Sequence, residues 1–280
     1  MRPPLIVGVG GAHSGIGKTE TAAALLRYLT NSNSKDSDKL QVTSNELKTN
    51  GKDLSLSPDP LLVAHNSSLV TYKRWGAIKY TRTEFYSSIT DDASILTLEN
   101  KDTARLLEAG ADEVLWVQAP PQELREVLPL ALEKLSGLSG IIVEGNSAIE
   151  FLKPDIVIFL VDGNGGRFKP SAYGALEAAD IILDRRGNAP RDIFPGTTAL
   201  CSLPLASFDE NTVQGLIQCM ESVMGIKNVK ELLRERSSGG NIACSDARKI
   251  AEELDVPYKE VGKAANQMQI KIKSCELGCF

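Results

Sequence analysis

A chain of 280 residues, 42% of them apolar, holds enough material for one sizeable core or for a main domain with a small appendage. Its formal net charge of -5 argues against a clustered basic surface, so nucleic acid is not expected as the main partner. The apolar start "PPLIVGVGG" is too short and too glycine-broken for a secretory segment, and no later run approaches a membrane span; no membrane partner is expected, and cytoplasm is the expected compartment.

Residues 5–9 predict a buried strand, and residues 19–29, with Ala22, Leu25, Leu26 and Leu29 on one stripe, predict a helix. Residues 31–68 are rich in Ser, Asn and Asp and lack core periodicity, which predicts a polar insertion. Regular structure resumes with a strand expected to end near Lys79, then a short helix from Lys101 to Ala109. "DEVLWVQA" reads as a strand, "PPQELREVLPLALEKL" as a helix opened by prolines and "GIIVEG" as another buried strand. "DIVIFLVDG", "AADIILDRR" and "TTALCSLPL" continue the strands, with a helix at "PSAYGALEAA". This rhythm predicts an α/β fold, a mostly parallel sheet with helices on both faces. Residues 1–235 are expected to form this domain. After the small-residue linker "RERSSGGNIACS", residues 241–280 are expected to form a small helical domain, with Ser245 as the N-cap of its first helix and a proline opening its second.

The segment "AHSGIGKT", between the first strand and the first helix, has the phosphate-loop pattern with Ala12 at its first position. Gly15 and Gly17 let the backbone curl with its N–H groups inward, and Ile16 lies between them. Lys18 is placed to reach the β- and γ-phosphates, Thr19 to hold Mg²⁺, and Glu20 lies in the first turn of a helix whose positive end faces the anion. Glu144 ends a buried strand, where ligands meet an open parallel sheet, and is the second residue expected to manage the metal; Asp162 occupies a similar strand end and ranks behind it. Lys18 and Glu144 are the catalytic candidates. The two histidines, His13 and His65, are too few for a histidine-rich metal site, and Trp75 and Trp116 read as packing residues.

With "GIGKT", the strand end "GAIK", "KDTARLLEAGADEVLWVQA" and "GIIVEG" followed by "KPDIVIF", the first 160 residues or so resemble the MobB family, GTP-binding adaptors of molybdopterin-guanine dinucleotide biosynthesis. The resemblance falls on Gly17, Lys18 and Thr19; Lys79; Lys101, Asp102 and Arg105; Ala109, Gly110 and Ala111; and Glu144 with Gly145. It departs at Tyr80, where the family often has histidine, and at Thr103, which replaces serine. The resemblance implies a Mg²⁺-dependent GTP- or ATP-binding phosphate-loop NTPase that assists molybdenum or tungsten pterin cofactor assembly, with a pterin cofactor and cofactor-assembly proteins as partners. Lys79, Lys101 and Arg105 would then meet an anionic ligand and Asp102 would orient a cation. The region from residue 178 to residue 205 is more similar to the wider group that includes dethiobiotin synthetase, many members of which work as homodimers. Its loop "DRRG" lacks the guanine-reading Asn-Lys-x-Asp, which leaves the base open.

Five cysteines in a chain without a signal peptide favour free thiols or metal ligands over a disulfide framework. Cys244, Cys275 and Cys279 are candidates for an iron-sulfur cluster or another metal, completed by a ligand from elsewhere. Two further functions stay open at this point: an ATP-dependent ligase or kinase for a small carboxylate, and a nucleotide-sensing regulator whose tail binds DNA or a cluster.

Overall fold

The computed structural model describes residues 3–35, 69, 74–162, 168–185, 199–204 and 207–274. They fall into two compact units, one drawn from residues 3–35 and 69–219 and the other from residue 220 onward.

The first unit is built on an eight-stranded sheet. Its strands are β1 (Leu5–Gly11), β2 (Trp75–Arg82), β3 (Ser88–Thr90), β4 (Glu113–Ala119), β5 (Gly140–Glu144), β6 (Ile156–Val161), β7 (Ile181–Asp184) and β8 (Cys201–Pro204). They lie in the order β3-β4-β2-β5-β1-β6-β7-β8. Every adjacent pair is parallel except β3 with β4, a short antiparallel edge that the sequence reading missed. β5 and β6 are buried along their whole length, as continuous apolar runs in the middle of a parallel sheet must be. The helices in chain order are α1 (Lys18–Lys35), α2 (Ala93–Leu96), α3 (Asp102–Glu108), α4 (Leu124–Lys134), α5 (Asn146–Leu152), α6 (Pro170–Glu177) and α7 (Glu210–Arg236), whose residues from 220 on belong to the second unit. α4, preceded by a 3-10 turn over Pro121–Glu123, buries Leu124, Val127, Leu128 and Ala131 against Ile78, Tyr80, Leu115, Val117 and Ala119. From β1 the chain steps to one side of the sheet for β2 and β5 and to the other for β6, so the strand order reverses there. Crevices at the carboxyl ends of strands form at such a point.

Three expectations need correction. β2 runs on to Arg82 and does not end at Lys79, because Tyr80 is carried into the core by the strand alternation. Cys201 and Cys219 are joined as a disulfide with their Cα atoms 6.4 Å apart. β8 and the early turns of α7 come together across only 18 residues, a proximity with no signature in the spacing. Ser245 does not cap α8 (Cys244–Leu254): the preceding strand β9 (Asn241–Ala243) hands the chain directly into the helix, so Ala243 occupies the cap.

The second unit adds α9 (Tyr258–Gln267) and β10 (Lys271–Lys273), the latter pairing in parallel with β9. Val229, Leu233, Ile242, Ala247, Ile250, Ala251, Val261, Ala264, Ala265 and Ile270 form its core. Asp255 makes the turn between α8 and α9 in the left-handed region at φ 51°, and Pro257 stands at the start of α9 as its fixed φ favours. Cys244 opens α8, whereas Cys275 and Cys279 lie outside the described residues.

Candidate functional site

The loop from Ala12 to Gly17 is fastened at both ends. The Ala12 amide donates to the Leu160 carbonyl at 3.0 Å, continuing the β1–β6 ladder, and the Ala12 carbonyl accepts from the Lys169 amide at 3.2 Å. Asn146 secures Gly11 from the other side, its Oδ1 accepting from the Gly11 amide at 2.9 Å and its Nδ2 donating to the Gly11 carbonyl at 3.0 Å. Gly15 and Gly17 have φ of +76° and +101°, a region that side chains rarely tolerate, and a Cβ on Gly17 would stand 2.8 Å from Arg185 Nη1. Ile16 is buried, and its carbonyl accepts from Arg185 Nη1 at 3.0 Å. The other guanidinium nitrogen of Arg185 lies 3.7 Å from Glu20. Glu20 therefore faces a cation that follows β7, and Arg185 of "DRRG" reaches the loop.

Lys18, the first residue of α1, folds back so that its Nζ donates to the His13 carbonyl at 3.1 Å. Burial pushes its pKa below the ordinary value; the charge of Glu144 opposes that shift, and Lys79 and Lys169 add to it. An ammonium so placed gains when an anion arrives. Lys169 Nζ also donates to Ser14 Oγ at 2.6 Å, and His13 Nε2 lies 3.2 Å from Asp162 Oδ2, which draws Lys169 and Asp162 onto the loop.

Register assembles the acidic side of the site. Val9, Glu144 and Lys79 are aligned across β1, β5 and β2, neighbours in the sheet. Glu144 is only 2% exposed; its Oε2 accepts from Thr19 Oγ1 at 2.8 Å while its Oε1 pairs with Lys79 Nζ. Lys79 Nζ also lies 2.6 Å from Asp102 Oδ2. Burial alone would raise the Asp102 pKa, but hydrogen bonding and charge from Lys79, with the Thr19 hydroxyl and Arg105, hold it below the ordinary carboxylate value. Gly145 follows at φ +141° and donates its amide to the Val9 carbonyl at 3.2 Å, which turns the chain sharply away after Glu144.

Lys18, Thr19, Glu144, Lys79 and Asp102 thus form one connected group at the sheet's carboxyl edge. Lys79 does not wait for an anionic ligand; its ammonium is already shared by two carboxylates. Lys101 leaves this group, and its Nζ lies 4.3 Å from the ring centroid of Trp116. Arg105 is exposed one turn farther along α3. Sequence reasoning missed Asn146, Lys169 and Arg185. Asn146 could have been found from its place directly after a strand-ending Glu-Gly pair; Lys169, at the start of α6, and Arg185, after β7, are brought in only by the tertiary fold.

The donor set suits a nucleotide phosphate chain with Mg²⁺. Curled backbone beside a half-buried lysine offers N–H groups and charge to phosphate. Thr19 with Glu144 supplies hard oxygen ligands, and Mg²⁺ needs only one or two protein groups besides phosphates and water. Among the described residues no group of three or more His, Cys, Asp or Glu side chains is arranged to hold a metal by itself. No described helix is long and apolar enough to cross a membrane.

No protein-family model and no curated protein matches this sequence. Among solved structures, the chain is similar to HypB from Helicobacter pylori, determined in complex with nickel, at 10% identity and a TM-score of 0.41, over 78% of this chain and 86% of that one. It is also similar to a ParA family ATPase from Chlorobium tepidum TLS at 12% identity and a TM-score of 0.33, over 80% of this chain and 92% of that one.

Proposed function

We propose that this chain binds a nucleoside triphosphate with Mg²⁺ at the loop between β1 and α1 and hydrolyses it or transfers its terminal phosphoryl group. One observation carries the reading: Thr19, the residue after the loop lysine, donates at 2.8 Å to the buried carboxylate of Glu144 on the next strand of the sheet. A carboxylate that deep requires compensation, and both its partners, Thr19 and Lys79, belong to the same site.

In this reading the loop amides cradle the phosphates and Lys18 neutralises charge that builds on the terminal phosphoryl group. Thr19 and Glu144 would hold Mg²⁺, which, when bound, offsets the charge of the phosphate oxygens. Asp102 keeps Lys79 beside Glu144, and Arg185 braces Ile16 and Glu20. Phosphoryl transfer depends mostly on such positioning and charge, which this constellation provides.

The client proposed is a molybdenum or tungsten pterin cofactor under assembly. What supports it is the resemblance of residues 17–19, 79, 101, 102, 105, 109–111 and 144–145 to the MobB pattern. The test is thermal stabilisation by GTP and by ATP, each with and without Mg²⁺. A Mg²⁺-dependent rise of the unfolding midpoint with at least one of them is expected, because a ligand that prefers the native state stabilises it. No shift with either nucleotide at millimolar concentration overturns the reading.

A further inference from the structure

Beyond the loop, the carboxyl halves of β2 and β4 alternate between two environments. Ile78, Tyr80, Leu115, Val117 and Ala119 turn into the core beneath α4, whereas Lys79, Thr81, Trp116 and Gln118 are only half-buried. Successive strand residues point to opposite faces, so these four share the second face. The registers Lys79 with Trp116 and Thr81 with Gln118 set them as a two-by-two block. Inside an α/β layer such a face is ordinarily apolar and covered by helix; this one is polar and partly open.

The block is equipped for recognition. Trp116 Nε1 donates to Thr81 Oγ1 at 3.0 Å, and Gln118 Nε2 donates to the Tyr86 hydroxyl at 2.9 Å, so polar groups line the face next to an indole. Lys101 Nζ is held over that indole, with Arg105 exposed one turn later in α3. On the turn between β2 and β3, Phe85 is 90% and Tyr86 52% exposed. Large aromatics so open beside a half-buried polar shelf are the mark of a binding surface more than of a fold requirement. Nucleotide hydrolysis uses none of Trp116, Gln118, Phe85 or Tyr86.

We propose that this block binds a second ligand, a planar heterocycle bearing a carboxylate or phosphate. The ring stacks on the aromatic groups, Thr81, Gln118 and Tyr86 meet its polar edge, and Lys101 with Arg105 takes its anion. Trp116 sits on the strand beside Lys79, so such a ligand lies next to the Lys79–Glu144 pair. Its purpose as acceptor or client rests on the nucleotide reading above, but its binding does not, and the two are measured separately.

The experiment is calorimetric titration of the full chain with three probes: pterin-6-carboxylate, planar and anionic; 6-methylpterin, planar and uncharged; and succinate, anionic without a ring. Each is titrated with and without Mg²⁺ and a non-hydrolysable nucleotide. Pterin-6-carboxylate is expected to bind more tightly than either of the others. Trp116→Ala should weaken it about tenfold, the order expected for loss of one stacking partner, while nucleotide affinity stays as in the parent chain. Trp116→Phe, which keeps a ring, should restore most of the affinity and guards against a folding defect. Lys101→Met should bring pterin-6-carboxylate down toward 6-methylpterin. The proposal is overturned if no probe gives heat in either state, if succinate binds as well as the planar anion, or if Trp116→Ala and Lys101→Met titrate like the parent. Probe binding without any nucleotide stabilisation would retain this site and remove the phosphate-loop reading; nucleotide stabilisation without probe binding would do the reverse.

Discussion

The two units of this chain handle charge in opposite ways. In the first, a carboxylate that is 2% exposed is paired with Thr19 and Lys79, and Lys79 is shared with Asp102. In the second, Arg236 with Glu253, Lys249 with Asp246 and Lys263 with Glu260 pair at the surface, while Val229, Leu233, Ile250 and Val261 form an apolar core. Burying ions is an expensive way to hold a fold together, since well-packed apolar residues do at least as well. The contrast is that the first unit, besides its own apolar core, buries an ion network at the carboxyl edge of its sheet, where the nucleotide site is proposed, whereas the printed pairs of the second unit stay at the surface of an apolar core.

The strongest way to break that comparison is Lys18→Met. Stabilisation by Mg²⁺ with nucleotide should vanish, while the ligand-free midpoint should rise slightly. The sign follows from the depressed Lys18 pKa: at neutral pH the folded chain carries an ammonium it would rather neutralise, a penalty that fades only as pH climbs through the folded value toward the ordinary 10.5. A fall in the ligand-free midpoint would contradict this. Glu144→Ala should cost ~1–3 kcal/mol, because it leaves the buried Thr19 hydroxyl without its acceptor while Lys79 keeps Asp102, read by denaturant unfolding; a loss under ~1 kcal/mol would place the contact among surface interactions.

Ile250→Ala sharpens the other half of the comparison, with ~2–5 kcal/mol of destabilisation expected from a fully buried position. The Asp102 carboxyl, held below its ordinary 3.8, adds stability that is fully present above that value and is lost as pH falls through the depressed one. Asp102→Asn should therefore flatten the acid limb of a midpoint-against-pH curve and leave its shape at neutral pH unaltered. Arg236→Ala should leave the unfolding midpoint where it was, since its pair with Glu253 is solvent-exposed.

Much of the first unit was legible along the chain. Apolar runs such as Gly140–Glu144 and Ile156–Val161 announce buried strands, and the loop glycines before Lys18 announce a phosphate loop. The short edge strand β3 was not legible, since three residues of mixed polarity acquire strand character only by pairing with β4. Helix α5 was hidden for a similar reason: its seven residues are set by Gly145 and by Asn146 gripping Gly11, contacts across 135 positions. The cysteines misled because compartment arguments say nothing of distance, and Cys201 at the start of β8 meets Cys219 in α7 only in the folded chain.

The chain's own order of residues determined where the backbone must curl, which segments extend and which wind, because those demands are met by glycine, proline and apolar spacing within a few positions. It also singled out Lys18, Thr19 and Glu144 as candidates for one site, of which Thr19 and Glu144 are in hydrogen-bond contact. Only the tertiary structure decided that Lys79 belongs to Glu144 and Asp102, and that Lys101 belongs to Trp116. The Lys79–Glu144 pairing depends on the register of parallel strands, across 65 residues, and the others on where α1 and α3 start against the sheet, as in the contact of Thr19 with Glu144 across 125, at separations where spacing along the chain carries no information about distance.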